Sequence, residues 1–307
     1  MCYTLGEDIF LCNGGIFVCG FFAMSGYLNF NSYQQTPSPL LFAKKRFRRI
    51  YPAYSLTIIL CTLMGAFIST LPFTDYFADF TTWRYLLYNL IFLNYMQPTL
   101  PQVFDTNALT VVNASLWTMK IEVLFYLTVP LVHWLIRQYG STKILLTIIL
   151  FSLLYNYATY IAFAQTNNPI YYTMNHQLPG ELVYFYTPVL MLQHMEWVRR
   201  HGRVLLLAAS VLIVPFFFDN SLDWLHPISI PVFVVTFAYE CKWLLPTARW
   251  IDFSYEFYLF RFPVLQTIIF LGWATTLPEV ALIALPLIFA IAIPLHYLSK
   301  QISDAMN

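Results

Sequence analysis

Val280-Ala281-Leu282-Ile283-Ala284-Leu285-Pro286-Leu287-Ile288-Phe289-Ala290-Ile291-Ala292-Ile293-Pro294-Leu295 carries no charged side chain. Its apolar residues do not alternate with polar ones, and Val204–Phe218 reads the same way. Inside a bilayer every backbone polar group must be satisfied within the protein, which leaves helices or a closed barrel. A transmembrane barrel needs a two-residue alternation of apolar and polar positions, so these runs select helices. The rest of the 307-residue chain agrees: 59% of it is hydrophobic and 10% charged, against about 25% charged in an ordinary soluble domain. A soluble chain so poor in charge would expose large apolar patches. Aromatic residues reach 19%, with 28 Phe, 22 Tyr and 8 Trp, and Trp and Tyr are favoured at membrane interfaces. The sequence therefore predicts an all-α, polytopic transmembrane helix bundle.

A span takes roughly 20 mainly apolar residues. Stretches of that kind lie at 9–30, 52–71, 115–136, 143–163, 180–197, 203–219, 228–244, 250–273 and 277–298. A shorter stretch, 84–97, carries Asn89 and Asn94. Lys and Arg gather in cytoplasmic loops. The 31–51 loop holds Lys44, Lys45, Arg46, Arg48 and Arg49, whereas 72–83 and 98–114 have acidic residues and no basic one. Basic and non-basic loops alternate along the chain if 84–97 does not cross. The expectation is about nine spans plus one short re-entrant or interfacial helix, with the N-terminus of this chain outside and the C-terminus cytoplasmic. No repeat or linker divides residues 1–307, which read as a single transmembrane domain. The net charge of +1 suggests no nucleic-acid partner, and the five cysteines have no zinc or redox spacing. The first basic residue is Lys44, so the start is no cleavable signal.

Ionisable side chains inside a span are expensive and mark functional candidates. Glu122 stands about 10 Å into its helix at 1.5 Å per residue, with Lys120 on another face. Glu181 opens its helix after Pro179-Gly180. Glu256 and Arg261 share a third span, and Arg261 is near mid-membrane, where a carboxylate could ion-pair with it. Each has a structural alternative as a helix-to-helix polar contact. The six histidines (His133, His176, His194, His201, His226, His296) fall near span ends or in loops and read as interfacial. No metal site is expected.

Four stretches taken together resemble the acyltransferase 3 family of integral membrane O-acyltransferases, of the O-antigen and peptidoglycan acetylase type. Gly20-Phe21-Phe22-Ala23-Met24-Ser25-Gly26-Tyr27-Leu28 resembles its FFxxSGfl stretch. Phe42-Ala43-Lys44-Lys45-Arg46-Phe47-Arg48-Arg49-Ile50-Tyr51-Pro52 resembles RxxRIyP. Asn113-Ala114-Ser115-Leu116-Trp117-Thr118-Met119-Lys120-Ile121-Glu122-Val123-Leu124-Phe125-Tyr126 is similar to NxSLWtLxvExxfY. Asp252-Phe253-Ser254-Tyr255-Glu256-Phe257-Tyr258-Leu259 is similar to iSYxxYL. Order and spacing agree over nearly the whole chain.

The resemblance implies transfer of an acyl group, commonly acetyl, from cytoplasmic acyl-CoA to a hydroxyl of a cell-envelope sugar or glycan, or a lipid-linked sugar. It implies a bacterial inner membrane and acyl-CoA as a donor substrate rather than a permanently bound cofactor. Glu122 becomes the catalytic candidate. Arg46 and Arg49, one helical turn apart, become candidates for the CoA phosphates, which guanidinium groups bind through forked, charge-assisted hydrogen bonds. Ser25, Trp117, Tyr255, Glu256 and Arg261 are further candidates. The sequence departs from the family in three places. An Arg/His helix expected in front of the Phe21-Phe22 stretch is absent, so the chain reads as N-terminally truncated relative to the family and inactive or weak as written. Arg261 stands where the family often has His, and Thr187-Pro188 where a glycine is usual. Whether the chain is an enzyme is therefore left open at this point. The alternatives are a non-catalytic protein on the same scaffold, serving as acyl-donor passage or partner subunit, and a small-solute transporter.

Overall fold

The computed structural model describes residues 14–213, 225–241 and 253–306. Among these residues the chain forms twelve α-helices, a short 3-10 turn at Asn94–Met96 and no strand. The helices are α1 (Gly14–Gln35), α2 (Pro39–Ile68), α3 (Phe73–Ala78), α4 (Phe80–Leu90), α5 (Leu116–Tyr139) and α6 (Ser141–Thr166). They continue with α7 (Pro169–Asn175), α8 (Leu178–Gln193), α9 (Met195–Ile213), α10 (His226–Glu240), α11 (Ser254–Phe270) and α12 (Leu277–Ala305). Parts of the expected spans 9–30, 203–219, 228–244 and 250–273 lie outside the described residues, as does Asp252 of the fourth motif.

Among the described residues, four helices, α2, α5, α6 and α12, are long and apolar enough to cross a membrane by length and composition. The sequence reading expected nine. Helix boundaries fall inside the expected spans: α8 stops at Gln193, and α9 starts at Met195 and takes Arg199, Arg200 and Arg203 into the helix. The 84–97 stretch lies in α4, an 11-residue helix, and in the turn that follows it. At 1.5 Å per residue α4 reaches about 16 Å, roughly half of a bilayer's hydrocarbon core.

The helices group into two compact units. One comprises residues 14–43 and the described part of 121–248. In it α8 packs against α6 and α1, and α10 packs against α9, α8 and α1. Val18, Phe22, Ser25, Asn29 and Tyr33 form a buried stripe on α1 at helical spacing. Phe22 meets Phe125 edge-on at 5.1 Å, and Phe125 stacks on Phe185 at 4.4 Å. A Cβ on Gly26 would lie 1.9 Å from the Phe185 carbonyl oxygen, so only glycine permits this approach of α1 to α8. Gly180 is equally confined, 1.9 Å from the Asn175 carbonyl oxygen by the same construction. Ser152 and Asn156 of α6 donate to the Gly180 carbonyl at 3.0 and 2.8 Å and fix the start of α8.

The other unit comprises residues 44–120 and the described part of 249–307. Here α11 packs along α12 through Val264, Ile268, Val280, Ala284 and Ile288. The irregular segment between the 3-10 turn and α5 is held by one side chain of α11. Gln266 Nε2 donates to the carbonyls of Leu109 and Val111 at 2.6 and 2.7 Å, and its Oε1 accepts from Asn107 Nδ2 at 2.9 Å. Irregular backbone survives at membrane depth only when protein groups satisfy it. Tyr54 of α2 donates to the Asn89 carbonyl at 2.7 Å and stacks on Phe92 at 4.4 Å.

Candidate active site

The first unit brings the first motif and the end of the third together. Ser25 and Glu122 lie on the buried faces of α1 and α5, 6% and 1% exposed. Ser25 Oγ donates to Glu122 Oε1. Asn29, one turn beyond Ser25, donates from Nδ2 to Ser25 Oγ at 2.7 Å. The amide polarises the hydroxyl, and the hydroxyl points its proton at the carboxylate. A carboxylate taken out of water this far requires such a partner. Asn29 was absent from the sequence reading, although its spacing of four from Ser25 puts it on the same helix face.

Glu181 is also buried in this unit, 3% exposed in the first turn of α8.

The second unit joins the start of the third motif to the fourth. Pro263 has no N–H, so the Leu259 carbonyl one turn earlier loses its helical partner. Asn113 Nδ2 donates to that carbonyl at 2.9 Å, while Asn113 Oδ1 accepts from the Ser115 N–H at 3.0 Å. One side chain thus repairs α11 and turns the chain into α5. Thr118 Oγ1 lies 2.8 Å from the Tyr258 hydroxyl and donates to the Ser115 carbonyl at 2.9 Å. Trp117 is half-buried on the same turn, and Lys120 places its ammonium 5.2 Å from the Tyr95 ring centroid.

The second motif meets the fourth as well. Tyr255 donates its hydroxyl to the Ile50 carbonyl of α2 at 3.3 Å. Arg46 is half-buried and Arg49 exposed. Between them Arg48 Nη2 donates to the Met306 carbonyl at the end of α12.

Glu256 and Arg261 do not pair. They are five positions apart, about 140° around a helix with 3.6 residues per turn. Arg261 instead lies over the Tyr258 ring, 4.8 Å from its centroid. Glu256, 4% exposed, faces α12. Its Oε1 accepts from Ser299 Oγ at 2.9 Å and lies 3.4 Å from His296 Nδ1. The sequence reading placed His296 at a membrane interface and gave it no partner. Its carboxylate is on another helix, and only the helix pairing shows it.

The comparisons with known proteins follow the same motifs. No solved structure matches the chain. It is 24% identical over 272 residues to an O-acetyl transferase of Shigella phage Sf6, an alignment covering 83% of this chain and 75% of that protein. A family model described as an acyltransferase domain matches residues 5–297, nearly the whole sequence. The motif-bearing residues Ser25, Glu122, Asn113, Tyr255 and Tyr258 all fall inside that match, and the chain belongs to the acyltransferase 3 family.

Proposed function

We propose that this membrane O-acyltransferase moves an acetyl group from cytoplasmic acetyl-CoA to a hydroxyl of a cell-envelope sugar or lipid-linked glycan. The observation that carries the reading is the buried Asn29–Ser25–Glu122 chain, which unites two motifs of an acyltransferase family deep in an apolar helical unit. A carboxylate that receives a hydroxyl proton is the kind of group that oxygen acylation needs. The phage relative's name adds acetyl as the group transferred. Arg46 and Arg49 on α2 receive the CoA phosphates. The alternation of basic loops supports nine crossings of a bacterial inner membrane, with the first described helix entering from outside and α12 ending in the cytoplasm.

The test is transfer of labelled acetyl from acetyl-CoA to envelope glycans in membranes carrying the protein. The unmodified chain transfers label, and Glu122→Gln lowers the rate by about 10²–10⁴-fold, the usual worth of a positioned acid–base group. Transfer at the unmodified rate by Glu122→Gln sinks the assignment of Glu122. Absence of label in glycans and lipid-linked sugars with the unmodified chain sinks the proposed acceptor.

A further inference from the structure

We propose that Glu181 holds the acceptor: its carboxyl binds hydroxyls of the sugar whose neighbouring hydroxyl is acetylated at the Ser25–Glu122 pair. The inference rests on the acyltransferase reading and adds to it the place of the sugar. Glu181 is 3% exposed, and among the described residues its Oε2 has no hydrogen-bond partner. Burying a carboxyl among apolar groups without a partner is costly. An ionisable group kept that way inside a membrane protein marks a functional site. The backbone around it, in contrast, is fixed on both sides. The Gly180 carbonyl before it takes two donors from α6. The Val183 N–H after it donates to Ser152 Oγ at 3.0 Å. Asn175 Nδ2 donates to Thr159 Oγ1 at 2.9 Å and ties α7 to the same stretch of α6. The main chain is thus held rigid around a side chain whose Oε2 meets no donor, which is the arrangement of a preorganised ligand contact.

The packing of α1 on α8 relates Glu181 to Glu122. Gly26 of α1 meets the Phe185 carbonyl of α8. Cys19 lies seven residues before Gly26 and Glu181 four before Phe185, so both stand on the facing sides of the two helices. The Glu181 carboxyl accordingly acts electrostatically on the Cys19 thiol. From Cys19 to Ser25 is about 9 Å along α1 at 1.5 Å per residue. In the proposed topology α1 enters from outside, so Glu181 stands on the envelope side of Ser25 and Glu122. A saccharide arriving from that side meets Glu181 first and reaches Glu122 with a hydroxyl further along. Aromatic groups flank the entry. The Tyr184 hydroxyl bonds to the Cys19 thiol, and the Tyr172 and His176 rings lie 4.5 Å apart in α7 and at its cap. Rings of this kind cover the apolar C–H faces of a sugar while the carboxyl takes its hydroxyls. Glu181 moves no proton in the transfer; that remains with Glu122.

The experiment uses the full chain in detergent with labelled acetyl-CoA and, as acceptor, glycan extracted from envelopes of cells that lack the protein. Glu181→Gln and Glu181→Leu raise KM for the glycan by about tenfold to a hundredfold, the worth of hydrogen bonds to a charged group. The rate at saturating glycan and KM for acetyl-CoA stay within about threefold of the unmodified values, the signature of lost binding rather than lost chemistry. The thermal midpoint of Glu181→Leu does not fall, because the carboxyl it removes has an unpartnered oxygen. A second readout needs no turnover: dicyclohexylcarbodiimide, which enters apolar sites, modifies Glu181, read by mass spectrometry, and the glycan slows the modification while acetyl-CoA does not. A glycan KM within about threefold of normal in both variants overturns the inference and leaves the acyltransferase reading standing. So does a lowered thermal midpoint in both variants together with modification that the glycan does not slow, or protection by acetyl-CoA alone. No transfer by the unmodified chain overturns the acyltransferase reading and this one with it.

Discussion

Asn113 shows how one side chain can answer for a missing backbone donor. Its amide fills the Leu259 carbonyl that Pro263 leaves open. A buried carbonyl left without a donor costs about 1–3 kcal/mol. Asn113→Ala is expected to lose that amount in a detergent melt. Pro263→Ala returns an N–H to the helix, so the double variant Asn113→Ala/Pro263→Ala should be more stable than Asn113→Ala alone. Two penalties that simply add would refute the pairing, because residues sharing one hydrogen bond are not expected to be additive. Part of the site was legible at this scale. Glu122 stands out as a charge in an apolar run, and Ser25 sits in a motif. His296 and Ser299 did not stand out, because a histidine at a span end is already explained by the interface. The residue beside its ring, Glu256, comes from another helix.

Among the elements, α1 and α8 come together on the strength of an absent methyl group. Gly26 faces backbone rather than a movable side chain, so Gly26→Ala cannot be absorbed by a rotamer change. The helices must separate, at a cost of about 1–3 kcal/mol by analogy with overpacked cores. Ser25 and Glu122 would be pulled apart with them. A lowered thermal midpoint together with reduced acetyl transfer is the expected result, and an unchanged midpoint would show that α1 does not pack this closely. Helices as such were legible from uninterrupted apolar runs. Their ends were not. Met195 begins a new helix only one residue after His194 ends the previous cap, and no glycine or proline marks that break. Apolar content also does not register how residues are divided between short helices and irregular segments such as the one before α5.

For the molecule as a whole, the basic turn of α2 is where a water-soluble donor is expected to meet an apolar protein. Charge-assisted hydrogen bonds are worth about 1.5–3 kcal/mol each, and 1.4 kcal/mol is a factor of ten. Arg46→Ala/Arg49→Ala should weaken acetyl-CoA binding by about a hundredfold, measured by titration in detergent beside a thermal melt that checks the fold. Unchanged affinity would remove the turn from the donor site. The clasp of Gln266 on the segment before α5 has a bearing on biosynthesis. The carbonyls of Leu109 and Val111 leave the ribosome more than 150 residues before the side chain that satisfies them. Until α11 is inserted, that stretch has to stay at a wet surface or borrow other donors, since hydrocarbon offers none. The segment therefore locks late, and membrane assembly of this chain is completed from its C-terminal third backwards rather than in the order of synthesis.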